Sequence, residues 1–498
     1  MNENEKKLDN LQAEAVNEID VQAAKALKRD PRLEFYGGPM MTLIPFLIFL
    51  VGCIVASFMG YANERVFYII CMFAMIVGLI LAKDKFGYFD ALVDGMTEKL
   101  ILTAVLCYIF AGAFGSMLKA SGLVEGLMWL GIKANLTGGL FCAFAFILGA
   151  IYGTSVGSGW ATITGLTMFM YPAGIALGAN PMVLAGAIIS AGCFGDNLAP
   201  ISDTTIISAA TMERPISQVV KSRLPITLIA GSISLVLFVA LGGGGSDMDA
   251  EVVAEVLATA NAKGLLMLIP AALTVFFAFK GWSLLHAISV GMAAVFVIGL
   301  PLGLFDIEDM LCFQDGSFSG AIVDGVSGFT NLILLVILAT GVSYIMQAGG
   351  ALEALLGQLQ KLAKSIRTAE VINWCIMSVS AFCLSQSVVA IIVGAPLVRS
   401  IGDRFKLNRC RMANFCDSVH CMWSYSLPWT GATLLFCSML RQAAETYTFI
   451  TPVTNAATLM GYTWHPYILG GIFLFSAITG FLRKFEDNEE ANPIYVAE

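Results

Sequence analysis

A chain of 498 residues in which 57% are hydrophobic and only 13% are charged is too apolar for an ordinary soluble protein. Its net charge of −8 and its lack of a basic block argue against nucleic-acid binding. The 12 cysteines form no CxxC pair and the three histidines show no metal-ligand spacing, so neither residue type predicts a cofactor site.

Several apolar runs are long enough to cross about 30 Å of hydrocarbon as helices. The clearest are residues 42–61, 66–82, 101–118, 225–241 and 331–346. The first 36 residues are instead polar and predict a cytoplasmic tail with a short amphipathic helix. The sequence therefore predicts an all-α polytopic membrane protein.

A polar segment, Gly-Thr-Ser-Val-Gly-Ser-Gly at residues 153–159, lies between two apolar arms. Its glycines allow close backbone approach, and Thr154, Ser155 and Ser158 supply hydroxyl groups. The two arms are either two complete membrane crossings or one re-entrant hairpin whose tip reaches the middle of the membrane.

The next polar segment, Gly-Asp-Asn-Leu-Ala-Pro-Ile-Ser-Asp-Thr-Thr at residues 195–205, places two carboxylates in an apolar surrounding. A carboxylate at the bilayer centre costs at least a few kcal/mol, so such a residue is a candidate for function. Pro200 predicts an interrupted helix, whose free carbonyl and N–H groups suit ions. The predicted cation and proton ligands are Asp196, Asn197, Ser202, Asp203, Thr204 and Thr205, with Na⁺ at Asp196 and Asp203. The alternative is that these residues, Asn197 and Ser202 above all, only cap helix ends.

The second half of the chain repeats this order of elements. A polar break formed by Ser385, Gln386 and Ser387 separates two more apolar arms and predicts a second hairpin tip. A helix interrupted at Asp417 follows, which makes Asp417 the counterpart of the first carboxylates. His420 is spaced to share a helix face and a proton with Asp417, although a buried neutral histidine is an equal alternative.

The charged loops decide between hairpins and full crossings, because loops rich in Lys and Arg stay cytoplasmic. With a cytoplasmic N-terminus and two re-entrant hairpins, the basic stretches 214–223 and 399–411 lie inside. The acidic stretches 247–255 and 306–324 then lie outside. Full crossings would place the basic stretch 214–223 outside and the acidic stretch 247–255 inside, against this rule. Hairpins that enter from opposite faces of the membrane are therefore favoured.

The predicted architecture is an inverted repeat with about ten transmembrane helices, two re-entrant hairpins and broken helices at the midplane. The protein is predicted to lie in a plasma membrane, the inner membrane of a bacterium, with both termini cytoplasmic. Its parts are an N-terminal tail (1–36), a first half (37–242), an extracytoplasmic linker (243–263), a second half (264–485) and a C-terminal tail (486–498).

Residues 195–205 resemble the Gly-Asp-x-x-Ser-Pro-x-Ser-Asp-Thr-Thr signature of the NhaC-type Na⁺/H⁺ antiporters, within the ion transporter superfamily. Residues 153–157 are similar to the Gly-Thr-Ser-Trp-Gly that lies upstream in that family. Ala199 stands where the family has serine and Val156 where it has tryptophan, which bears on the substrate more than on the fold. The resemblance implies a Na⁺-linked transporter and a homodimer.

The leading functional hypothesis is a secondary transporter that exchanges Na⁺ for H⁺, because one carboxylate cannot hold both ions. The alternative is a Na⁺-coupled transporter of an amino acid or small carboxylate, with room for the solute at Val156 and at the second hairpin tip. The predicted partners are therefore the lipid bilayer, Na⁺, H⁺ and, in the alternative, a small organic solute. No nucleotide-binding loop or nucleophile–base set predicts an enzyme, and two inverted half-sites do not favour a channel.

Overall fold

The computed structural model describes residues 33–486 apart from residues 201, 245–257, 281, 283, 315 and 385–386. The tails at 1–32 and 487–498, most of the predicted linker, and Ser385 and Gln386 therefore lie outside the described residues. The described residues are mainly helical, and a short antiparallel pair of strands, β1 (Cys312–Gln314) and β2 (Ser317–Ser319), lies between two helices.

The first-half helices are α1 (Ile44–Phe58), α2 (Glu64–Leu81), α3 (Lys85–Met96), α4 (Lys99–Ala120), α5 (Leu123–Lys133), α6 (Gly139–Val156), α7 (Gly159–Ala176), α8 (Pro181–Leu198), α9 (Asp203–Thr211) and α10 (Ile216–Leu241). The second-half helices are α11 (Leu268–Phe279), α12 (Leu284–Gly299), α13 (Ile307–Met310), α14 (Ala321–Ser327), α15 (Thr330–Ala348), α16 (Ala351–Gln360), α17 (Ile366–Cys383), α18 (Ser387–Arg404), α19 (Arg409–Ser424), α20 (Gly431–Thr446) and α21 (Trp464–Thr479).

The surface of the molecule is apolar where a soluble protein would be polar. Phe58, Phe73 and Ile80 on α1 and α2 are exposed, whereas α7 and α8 are almost entirely buried. Within the described residues, six helical stretches are long and apolar enough to cross a membrane: Pro39–Phe58, Glu64–Leu81, Ile101–Ala120, Pro181–Thr211, Ile216–Leu241 and Ala321–Ala348. The chain is a multi-pass membrane protein, as predicted, with α7 and α8 at its centre.

The two halves share an order of elements that the sequence predicts. A short helix begins directly after a left-handed glycine in each half, α5 after Gly122 (φ 82°) and α16 after Gly350 (φ 71°). Each short helix precedes a pair of 18-residue helices, α6 with α7 and α17 with α18. A helix, a break and a second helix complete each unit.

The first helix pair starts and ends at one face of the molecule. The N–H of Gly138, just before α6, donates to the carbonyl of Leu177, just after α7, at 3.0 Å. At the same level, the N–H of Asn180 before α8 donates to the carbonyl of Gly242 after α10 at 2.8 Å. We call this end of the molecule the Gly138 face.

The second helix pair ends at the opposite face. Arg399, near the end of α18, donates a 3.0 Å hydrogen bond to the carbonyl of Thr211 at the end of α9. Arg409, at the start of α19, forms a 2.8 Å ion pair with Glu213, just beyond α9. We call this end the Arg409 face. Because α8 and α9 run from the Gly138 face to the Arg409 face, the second pair ends at the end of the molecule opposite the Gly138 face.

Candidate functional site

The break between α8 and α9 lies where Pro200 predicts it. Proline has no N–H and its ring clashes with the preceding turn, so the backbone leaves the helical path after Leu198 and resumes it at Asp203. The break leaves free carbonyl groups at the end of α8 and free N–H groups at the start of α9. Pro200 and Asp203 are exposed, whereas Asp196 is buried.

Asp196, in the last turn of α8, is surrounded by hydroxyl groups. The hydroxyl of Ser202 donates to its Oδ1 at 2.6 Å, and the hydroxyl of Tyr425 donates to its Oδ2 at 2.8 Å. Ser202 Oγ also lies 2.9 Å from Thr204 Oγ1. No basic side chain forms an ion pair with Asp196 within the described part of the chain. The buried carboxylate is therefore held by neutral donors alone.

The last turn of α6 packs against the backbone next to this carboxylate. A side chain at Gly195 would overlap the backbone of Gly153, so the end of α6 lies against the residue that precedes Asp196. A side chain at Gly159 would overlap the hydroxyl of Tyr425. Glycine at these positions thus allows the first helix pair, α8 and the second-half break to meet at one point.

The second buried carboxylate, Asp417, lies in α19 and faces α9 and α10. The guanidinium Nη1 of Arg223 donates to its Oδ2, and the hydroxyl of Thr205 donates to the same oxygen at 3.0 Å. Cys421 contacts the other carboxylate oxygen, with Sγ 3.3 Å from Oδ1. Arg223 and Asp417 are both fully buried, so the charge of each is balanced by the other.

Asn197 links the two carboxylate clusters. Its side-chain amide donates to Ser418 on α19 at 3.0 Å and accepts from Thr227 on α10 at 3.0 Å. Its backbone carbonyl accepts a hydrogen bond from Nη1 of Arg223. The end of α8 is therefore tied to both α10 and α19.

Other predicted ligands do not reach either carboxylate cluster. Asp203 is the first residue of α9, where a negative charge suits the helix dipole, and it makes no hydrogen bond or ion pair among the described residues. Thr154 donates to the carbonyl of Ala150 at 2.7 Å within its own helix. Ser158 caps α7 through the N–H of Ala161 at 3.3 Å. Only the backbone of Ser155 and Ser387 is described.

His420 does not contact Asp417 in the described structure. Its Nε2 lies 2.5 Å from the hydroxyl of Ser424, one turn further along α19, and the ring is fully buried. The sequence also misplaces the interruption of this helix, because Asp417 lies within α19 and the break spans residues 425–430. Pro428 within that break is the local cause.

Two residues of the site, Tyr425 and Arg223, are missed by the sequence argument. Tyr425 has no local signal, since its partner lies 229 positions away. Arg223 is counted with the basic stretch 214–223 as a cytoplasmic loop charge, yet α10 begins at Ile216 and buries it. The sequence does contain a signal for Arg223, since it lies next to the long apolar run 225–241. An arginine there is expensive to bury and usually functional.

A sequence model of the Na⁺/H⁺ antiporter family matches residues 32–243 and 248–472, which is most of the chain. Three curated proteins are similar over much of their length. The arginine/ornithine antiporter of Halobacterium salinarum is 24% identical over 78% of this chain and 85% of its own. The malate-2H⁺/Na⁺-lactate antiporter of Bacillus subtilis is 23% identical over 82% and 87%. A Na⁺/H⁺ antiporter, NhaC, of Alkalihalophilus pseudofirmus is 21% identical over 65% and 73%.

Proposed function

The chain belongs to the Na⁺/H⁺ antiporter family, and on this premise we propose that it exchanges Na⁺ for H⁺ at Asp196 by alternating access. The observation that carries this proposal is a buried carboxylate that has two hydroxyl donors and no basic partner among the described residues. Such a carboxylate is available to a proton or to a small cation, but not to both. One site that holds either ion in turn couples their movements across the membrane.

The oxygens around Asp196 suit Na⁺, a small hard cation that prefers oxygen ligands. Ser202 and Thr204 lie beside the carboxylate, and their hydroxyls are free to rotate a lone pair toward a bound ion. Asp203 is exposed at the break, where its charge attracts cations toward the site. In this proposal Na⁺ passes Asp203 and binds at Asp196, which leaves Asp203 as the entrance carboxylate. Transport is the whole activity, and no enzymatic reaction or resident cofactor is assigned.

The place where α6 ends supports a re-entrant first hairpin in this proposal. The last turn of α6, at Gly153 and Thr154, lies against Gly195, and α9 continues for nine residues beyond the break toward the Arg409 face. In the proposed architecture the first hairpin ends inside the membrane, and an inverted second pair completes about ten crossings and two hairpins.

The proposed orientation places the Arg409 face in the cytoplasm. That face gathers Arg214, Arg399 and Arg409, and an excess of Lys and Arg marks the cytoplasmic side. Both termini are then cytoplasmic, with the halves at 37–242 and 264–485 and an extracytoplasmic linker at 243–263 between them. Nothing in this scheme requires a second copy, so the homodimer remains a prediction from family resemblance.

A second candidate function is Na⁺-coupled transport of an amino acid or small carboxylate. It is favoured by the names of two relatives, an arginine/ornithine antiporter and a malate-2H⁺/Na⁺-lactate antiporter. The cleft beside the second break, lined by Thr340, Ser343 and Trp429, holds about 20 Å³, which is close to the volume of one water probe. A second cleft, beside Thr154 and Phe194, holds about 440 Å³, which is enough for a small organic solute.

Proteoliposomes that carry a pH-sensitive dye test the proposal. We expect an imposed Na⁺ gradient to move protons in the wild type and not in Asp196→Asn, with Asp203→Asn reduced but active. Undiminished proton movement in Asp196→Asn would remove Asp196 from the mechanism.

Uptake of labelled arginine, malate and lactate by the same vesicles distinguishes Na⁺-coupled solute transport from Na⁺/H⁺ exchange. Accumulation of one of them that depends on Na⁺ and not on a pH gradient would favour it.

A further inference from the structure

Three oxygens from different helices converge on a single nitrogen of Arg223. Nη1 donates to Oδ2 of Asp417, to the backbone carbonyl of Asn197 and to the hydroxyl of Thr205, the last at 3.1 Å. A carboxylate, a free carbonyl at a helix break and a hydroxyl form the usual ligand set for a small hard cation. Nη1 therefore occupies the position that such a cation would take.

The guanidinium does not behave as a simple structural ion pair. Arginine usually grips a carboxylate with two parallel N–H donors, one to each oxygen. Here Nη2 is buried and has no partner among the described residues, and Oδ1 of Asp417 is contacted by Cys421 instead. Asp417 therefore contacts the guanidinium through one oxygen and one nitrogen, as a carboxylate contacts a single ion.

Neighbouring groups hold the guanidinium at this position. Nε of Arg223 donates to Oδ1 of Asn414 at 3.0 Å, and the amide nitrogen of Asn414 donates to Ser222 at 2.6 Å. Removal of either charge would strand the other in a dry interior.

The surroundings of the two buried carboxylates therefore differ in one decisive respect. Asp417 has a resident positive charge, and Asp196 has only hydroxyl donors within the described residues. Two inverted halves would ordinarily supply two cation positions, one beside each carboxylate.

We infer that Arg223 is a tethered cation that permanently fills the second of these positions, so that one Na⁺, at Asp196, is bound per protein molecule. This inference rests on the proposed function for the identity of the ion at Asp196. It assigns a different role to Asp417, which becomes a fixed counter-ion and not a ligand of a transported ion. It also predicts a latent second Na⁺ site that appears when the arginine charge is removed.

Equilibrium binding of ²²Na⁺ to purified protein in detergent tests the inference by counting ions. We expect one Na⁺ per molecule in the wild type, and two in Arg223→Gln with a Hill coefficient above one. Arg223→Lys keeps the charge and is the matched control, with one Na⁺. In Arg223→Gln/Asp417→Asn, both charges are absent and the count returns to one. An Arg223→Gln protein that folds and still binds one Na⁺ would overturn the inference.

The double variant keeps the test decisive if Arg223→Gln does not fold, because it strands no charge. Equal Na⁺ counts in the wild type and the double variant support the tethered cation, and one ion fewer in the double variant contradicts it. Asp196→Asn in the wild-type background tests the Na⁺ site at Asp196 separately from the tethered cation at Arg223. If the wild type binds no Na⁺ at all, the proposed function fails, whereas a gain of one Na⁺ in Arg223→Gln would still support the latent site.

Discussion

Tyr425 reaches from the break of the second half to the carboxylate of the first, where its hydroxyl donates a 2.8 Å hydrogen bond to Asp196 Oδ2. We expect Tyr425→Phe to raise the Na⁺ concentration for half-maximal exchange about three- to tenfold. The reason is that one hydrogen bond contributes a net 0.5–1.5 kcal/mol or so, and 1.4 kcal/mol corresponds to a factor of about ten. Exchange measured over a range of Na⁺ concentrations in proteoliposomes checks this.

The matched control is Tyr447→Phe, which removes the hydroxyl 3.5 Å from Glu125, away from both buried carboxylates. We expect its Na⁺ dependence to equal that of the wild type. Equal Na⁺ dependence in Tyr425→Phe would show that the hydrogen bond does not contribute to ion binding.

The close contact between Gly159 and the Tyr425 hydroxyl leads to a second prediction. A methyl group at Gly159 would overlap both the Tyr425 hydroxyl and the carbonyl of Gly192, so Gly159→Ala must displace the start of α7 or the tyrosine. Overpacking of this kind costs about 1–3 kcal/mol, and we expect exchange to fall by about tenfold or more. The initial rate of Na⁺-driven proton movement per folded protein measures the effect.

Gly471→Ala is the control for this substitution. Gly471 lies within α21, and a side chain there meets nothing within 4 Å. Alanine is the better helix former, so melting temperature should stay equal or rise while exchange is unchanged. Unchanged exchange by Gly159→Ala would mean that the start of α7 tolerates displacement from Tyr425.

Local chemistry made much of this fold predictable from the sequence. Long apolar runs located the membrane helices, and Pro200 located the first break because proline cannot continue a helix. Glycine at 157 has φ 73° and separates α6 from α7, as the Gly-rich segment predicts. These features depend on neighbouring residues, and a single sequence contains that information.

The partners of the two carboxylates were not predictable in the same way. Tyr425 and Arg223 act on residues far along the chain, and no periodicity encodes such contacts. The charge rule even counted Arg223 as a loop residue, because it treats every basic residue near a span as cytoplasmic. The sequence places the second break at Asp417 by analogy with the first half, but Asp417 lies within an intact helix, where Arg223 provides the compensating charge.

The ion cluster at the Arg409 face predicts a dependence of stability on pH. Partial burial raises the pKa of Glu213, but hydrogen bonds and charges from Arg399 and Arg409 outweigh burial and lower that pKa below its usual value. Its ionised form is therefore favoured by folding. The contribution is present above the unfolded pKa of about 4.3 and is lost as pH falls through the lower folded pKa.

We expect Glu213→Gln to lower the melting temperature by only about 1–2 °C at pH 7, because the group is nearly half exposed and solvent screens it. The difference from the wild type should shrink toward pH 3 and in high salt. Glu34→Gln, which breaks the exposed pair with Lys83, is the control and should change less. A difference that grows on acidification would contradict the assigned pKa direction.

The proposed inverted topology of the two helix pairs leads to the last prediction. Thr137, just before α6, and Lys364, just before α17, are both exposed, and the proposed topology puts them on opposite sides of the membrane. With the 12 native cysteines replaced, Thr137→Cys should react with a membrane-impermeant maleimide added outside intact cells. Lys364→Cys should react only after the membrane is opened, because positively charged loops stay cytoplasmic. Reaction of both from the same side would exclude an inverted pair of hairpins, whereas an exchange of the two sides would keep the inversion and reverse the orientation.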